Sequence, residues 1–138
     1  MQIAERGTEQ LARSPRSSGP CLDTDRFQFE MEFFVEHYIR GLLDTTPATG
    51  LIPQLAALAQ RAAETPRKVL CHRDFHRRNI MVRQDGRLGL VDIQDAQWGP
   101  DSYDLASLLF DAYGRIGAER RDRLAERYRQ ALANPPRR

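Results

Sequence analysis

The stretch VLCHRDFHRRNIMVRQDGRLGLVDIQDAQWGP, Val69 to Pro100, decides how the chain is read. Its apolar runs are too short for helices and are bounded by polar and turn-forming residues, so Val69–Cys71, Ile80–Val82 and Leu88–Val91 are predicted strands. RQDGR, between the last two runs, contains Asp85-Gly86, the strongest short hairpin signal, and predicts that those runs pair antiparallel. Asp74, Asn79 and Asp92 then fall on loops at strand ends.

Working outward, the pattern changes to helical. Asp25, with Gln28 three residues on, is the expected cap of a helix whose stripe is Phe27, Met31, Phe34, Val35, Tyr38 and Leu42. That stripe is assigned to the core. Gly41, Asp44 and Pro47 end it, and a second helix is expected from about Leu51 to Glu64, stopping before Pro66. After Gly99-Pro100, Leu105, Leu108, Leu109 and Ala112 mark a third helix capped by Asp101 or Ser102. A fourth carries Leu124, Tyr128 and Leu132. The fold class is therefore α+β, mainly helical, with one small hairpin. Residues 1–21, poor in periodic apolar content and ending in Ser, Pro and Gly, read as a mobile leader, residues 22–134 as the folded unit, and 135–138 as a frayed tail.

Composition excludes several classes. A net charge of +2 on 138 residues, with arginines scattered among acids, gives no stripe for a nucleic-acid backbone. Cys21 and Cys71 are too few and too far apart for a disulfide framework, and no apolar run suits a signal peptide or a membrane span. The expectation is a cytoplasmic protein without nucleic-acid or membrane partners. Of the 21 cationic side chains, only Lys68 is a lysine.

His72-Arg73-Asp74, four residues, then Asn79 fits H-R-D-x-x-x-x-N, the catalytic-loop pattern of phosphoryl-transfer enzymes of the protein-kinase type. An alcohol attacking a γ-phosphate needs a carboxylate at its proton, here Asp74. An amide five residues later can turn its oxygen toward a magnesium ion held on the phosphates, here Asn79. Asp92, at the end of the second hairpin strand, supplies the hard anionic oxygen such a metal requires. Each residue alone has an ordinary reading, as a cap, a turn residue or a solvated strand end; their joint spacing favours the chemistry. His72 and His76 are four apart, but the acid between them sits in the third position of H-R-D-F-H, unlike the zinc-binding H-E-x-x-H, and the flanks are strands. His76 is assigned to supporting the catalytic loop. Arg77 and Arg78 read as solvated charges, and Trp98 as cover for a core edge rather than a sugar platform.

HRDFHRRNIM, LGLVDIQDA and GPDSYDLASLL together resemble the C-terminal lobe of the aminoglycoside phosphotransferase and choline-kinase-like superfamily, nearest to the bacterial N-acetylmuramate/N-acetylglucosamine anomeric kinases. The likeness spans about Phe27 to Leu132. It implies Asp74 as catalytic base, Asn79 and Asp92 as Mg2+ ligands, and ATP as donor. It also implies that Asp104 is structural, accepting hydrogen bonds from the catalytic-loop backbone; a first-turn acid favoured by the helix dipole is a compatible reading. Only QDAQWGP separates Ile93 from Asp101, with no hydroxyl residue to accept a regulatory phosphate. This favours a small-molecule acceptor, with Gln94, Asp95 and Gln97 as candidate groups for sugar hydroxyls, or else as simple loop solvation.

What the family pattern leaves unmatched is its nucleotide half. No Gly-containing loop precedes Leu22, and Lys68, six residues before Asp74, cannot stand on an N-terminal strand. The chain reads as a C-lobe without its N-lobe: a truncated product, a misassigned start or a fragment. The expectation is inactivity alone and self-association through the exposed inter-lobe surface. The alternatives are a non-catalytic sugar-binding or regulatory module, or a piece of an aminoglycoside or choline kinase.

Overall fold

The structure, a computed structural model, describes residues 21–133. The expected leader, Cys21 excepted, and the tail lie outside them. Among the described residues, four α-helices and two antiparallel strand pairs make up the α+β fold.

Helix α1, Thr24–Phe33, is capped by Asp23, whose carboxylate accepts from the Arg26 N–H at 2.9 Å. The cap is thus two residues earlier than the expected Asp25, because the side chain that reaches the orphan N–H groups lies just before the first turn. From Phe34 to Leu42 the helix widens into π-type turns, closed by Leu43 N–H on Tyr38 O at 2.9 Å. This corrects the expected core stripe. In wider turns each residue advances through a smaller angle, so residues four apart align and those three apart do not. Val35 and Ile39 face inward, whereas Phe34, Tyr38 and Leu42 are 43%, 46% and 73% exposed.

Helix α2, Leu51–Ala63, packs against α1. The core is small: Leu22, Phe27, Ala59 and Ala63 are buried together, with Met31, Ala62 and Tyr103 packed on them. Strand β1, Lys68–Cys71, alternates exposed Lys68 with buried Val69 and Cys71. Strands β2, Ile80–Val82, and β3, Leu88–Leu90, form the expected hairpin, with Ile80 opposite Leu90. Gly86 turns it at φ +74, a conformation glycine adopts without steric cost.

The second correction is a strand within the segment read as loop. Strand β4, Gln97–Pro100, pairs antiparallel with β1, placing Cys71 opposite Gln97 and Val69 opposite Gly99. Cys21 adds a parallel bridge to Trp98, and the Leu22 N–H donates to the Trp98 carbonyl at 2.6 Å. Helix α3, Tyr103–Leu109, follows a Ser102 cap that makes no side-chain hydrogen bond; it stops short of Ala112. Helix α4, Ala118–Ala133, is anchored where the Tyr128 hydroxyl donates to the Asp101 carbonyl at 2.5 Å. Among the described residues no helix is long and apolar enough to cross a membrane.

Gly99 is where this packing is tightest. A Cβ there would lie 2.6 Å from Leu22 Cδ1 and 3.1 Å from Cys71 Sγ, and both neighbours are fully buried. Gly99→Ala is therefore expected to destabilise the fold by about 1–3 kcal/mol through overpacking. A urea midpoint equal to wild type would contradict this.

Candidate active site

Strand β1 delivers the loop that holds the first candidate residues. Its last residue, Cys71, is fully buried, and burial, helped by Asp104 and Asp101, pushes the thiol up to about 12. The thiol serves packing, not nucleophilic chemistry. His72 is buried too, and its Nε2 lies 2.9 Å from the Val91 carbonyl. A carbonyl only accepts, so Nε2 carries the proton.

Asp104, in the first turn of α3, accepts from two consecutive backbone N–H groups, His72 at 2.7 Å and Arg73 at 3.1 Å. Desolvation pushes its carboxyl above the usual aspartate range, and those two hydrogen bonds pull it the other way. Arg73 sits at φ +73, in the left-handed region, which costs a non-glycine residue roughly 1–2 kcal/mol. Its guanidinium comes within 3.9 Å of Glu30 on α1. Tyr103, raised by burial and by Glu30, is hydrogen-bonded by the same guanidinium, which lowers it.

The next residue is Asp74, whose side chain is 54% exposed. One carboxylate oxygen takes the His76 Nε2–H at 3.0 Å, and the other takes Asn79 Nδ2–H at 2.9 Å. Asn79 also donates to the Asp74 backbone carbonyl at 2.9 Å, and the His76 N–H approaches the same carbonyl at 3.1 Å. Asp74, His76 and Asn79 thus form one cluster. A carboxylate offers about four lone-pair sites, so two accepted bonds leave capacity for a substrate hydroxyl.

Asp92 is linked to Asn79 along the hairpin backbone. The Val91 N–H donates to the Asn79 carbonyl at 3.1 Å, continuing the β2–β3 ladder past Ile80 and Leu90 and setting Asp92 one residue beyond that bond. Asp92 takes φ +66, a conformation aspartate tolerates better than most residues. Its carboxylate accepts from the Gln94 side-chain amide.

The candidate acceptor-binding residues divide. Gln94 and Asp95 are exposed in the turn closed by Ala96 N–H on Ile93 O, while Gln97 is half-buried at the start of β4. Trp98 is likewise half-buried in β4. Arg77 and Arg78 are exposed, yet Arg78 lies over the Tyr113 ring at 4.7 Å, and the Arg77 N–H donates to Asp111 at 3.0 Å. Asp111 also accepts from the Tyr113 N–H at 2.7 Å, and these backbone bonds, Arg77 first, hold its carboxyl below the usual range. Tyr113 in turn stands edge-on to His76 at 5.0 Å. Glu30 and Asp111 escaped the sequence reading because they act from distant elements and belong to no motif.

The donors present suit magnesium. With both Nδ2 contacts of Asn79 directed at Asp74, the amide is oriented so that Oδ1 is the atom left over, and Asp92 keeps a carboxylate oxygen outside its Gln94 bond. Magnesium is typically held by one or two protein oxygens together with phosphates and water. Among the described residues, no three His, Cys, Asp or Glu side chains form a metal site by themselves.

The chain is similar to known proteins over most of its length. The model of the phosphotransferase enzyme family matches residues 6–138. An N-acetylmuramate/N-acetylglucosamine kinase of Caulobacter vibrioides is 38% identical over 129 residues, covering 88% of this chain and 36% of that protein. The protein of the same name from Neisseria meningitidis is 59% identical over 46 residues, 33% of this chain and 14% of its own length. That from Pseudomonas putida is 34% identical over 97 residues, 68% of this chain and 28% of its own. The chain thus spans little more than a third, at most, of the relatives it matches.

Proposed function

We propose, from the premise that this chain belongs to the phosphotransferase enzyme family, that residues 22–134 are the acceptor-side lobe of an ATP-dependent small-molecule kinase, and that its substrate is an amino sugar of the N-acetylmuramate or N-acetylglucosamine type. The observation that carries this reading is the Asp74 cluster: a partly exposed carboxylate oriented by His76 and Asn79, with Asp92 tied to Asn79 through the hairpin backbone.

Asp74 accepts the proton of the attacking sugar hydroxyl and aims its oxygen. His76 and Asn79 hold the carboxylate in place by one hydrogen bond to each oxygen. Asn79 Oδ1 and the Asp92 carboxylate would hold Mg2+, which, bound with ATP, neutralises charge developing on the phosphates. Gln94 steadies Asp92, and Asp95 faces the solvent from which the acceptor enters. The exposed apolar side chains Met81, Val82, Leu88, Val91 and Ile93 on and after the hairpin offer a surface for a nucleotide lobe, or for self-association in its absence.

A second reading is a non-catalytic sugar-binding module, which the polar groups of Gln94, Asp95 and Gln97 would serve equally well; Lys68, on the strand before the loop, donates to Cys21 Sγ at 3.3 Å.

The test is phosphoryl transfer from labelled ATP with magnesium to a panel of amino sugars, aminoglycosides and choline. It uses the chain alone and the chain fused to the N-terminal half of a related kinase. The chain alone is expected to transfer essentially nothing, because the triphosphate faces water where each contact is weak. The fusion is expected to phosphorylate an amino sugar, and Asp92→Asn in it to weaken magnesium–nucleotide binding roughly tenfold or more. An inactive fusion that still binds sugar would favour the binding module.

A further inference from the structure

We infer that Arg73 is a positioning residue, whose side chain ties the catalytic loop to α1 through Glu30 and so fixes the direction in which Asp74 points. The inference rests on the reading of Asp74 as the proton acceptor.

Among the described residues three non-glycine residues take positive φ, Asp44, Arg73 and Asp92, and of these Arg73 is the one whose type has no local hydrogen-bonding preference for that conformation. Glycine would adopt it freely, so the arginine side chain is there for some other use. Its side chain is only 18% exposed, far below the other arginines of the loop region, and it is directed at Glu30. Glu30 is braced from its own helix by Arg26 at 3.6 Å. On the other side, the Arg73 N–H is fixed by Asp104 on α3. The residue immediately before Asp74 is therefore held at both its backbone and its guanidinium, by two different helices.

Asn79 reports on the outcome, since its side-chain N–H groups bond to the Asp74 carbonyl and carboxylate. In the full isotopically labelled chain, Arg73→Gly is expected to speed hydrogen exchange of the Asn79 side-chain amide about tenfold, as local opening. Core amides near Leu22 and Ala59 should keep wild-type rates. The thermal midpoint should stay near wild type, because glycine relieves the positive-φ strain while giving up the ion pair. Glu30→Gln, a near-isosteric change on a helix, should loosen the same amide to a lesser degree. In the fusion enzyme both variants should lower kcat and leave the KM for ATP unchanged. Unchanged Asn79 exchange in both variants would overturn the inference. So would a lowered midpoint with uniformly faster exchange, which would make Arg73 mere packing. The exchange result stands even if the fusion shows no kinase activity, which separates this inference from the proposed function.

Discussion

Asp74→Asn in the fusion with the N-terminal half of a related kinase is expected to lower turnover by roughly 10²–10⁴-fold, the range contributed by a positioned general base, with the KM for ATP little changed. The substitution conserves size and leaves an amide oxygen able to accept from either His76 or Asn79, each of which donates to Asp74. It cannot accept from both and also take a proton. One of the two carboxylate positions becomes an NH2 group, which repels the donor it faces or displaces the acceptor hydroxyl. Nucleotide contacts should survive, because Asn79 keeps its backbone link to Val91 and hence to Asp92. Steady-state kinetics over a pH series is the appropriate measurement. Equal kcat in wild type and variant would remove Asp74 from the mechanism, and a large change in nucleotide KM alone would move it to the metal.

How far this arrangement was legible in the sequence depended on the range of the interactions involved. The β2–β3 hairpin lay where Asp85-Gly86 placed it, because the turn and the two apolar runs beside it are local and mutually consistent. The nearness of Asp74 and Asn79 was legible for the same reason: five residues of loop suffice for the amide to reach back to the carboxylate. Strand β4 was not, since Gln97, Trp98, Gly99 and Pro100 show no alternation, and their pairing with β1 spans about thirty residues of chain. The inward face of the first helix was misread at Phe34, Tyr38 and Leu42 because a change from α to π turns is decided by packing and leaves no period of its own. Glu30 and Asp111 carried no signal, for each acts on a group that only the tertiary fold brings near.

Asp104 should matter most for stability, and its effect should depend on pH in a definite direction. Asp104→Ala leaves the His72 and Arg73 N–H groups without their acceptor. An unsatisfied buried donor costs about 1–3 kcal/mol, so the pair amounts to roughly 2–6 kcal/mol. Small domains have only about 5–15 kcal/mol in total, and the thermal midpoint should fall steeply. Asp104→Asn should be milder, because its carbonyl retains one acceptor while its NH2 confronts the second N–H. Desolvation raises the wild-type carboxyl above its unfolded value, so its protonation contributes stability that is fully present below about pH 3.9 and is lost as pH rises through the raised value. Asn lacks that titration. The stability gap between wild type and Asp104→Asn should therefore be widest in acid and narrow as the pH rises, measured as urea midpoints across that window. A gap that widened with pH would mean that the two backbone hydrogen bonds outweigh desolvation. Asp104 would then hold the loop as a carboxylate whose charge is favoured by the fold, and acid unfolding would begin at the loop that carries Asp74.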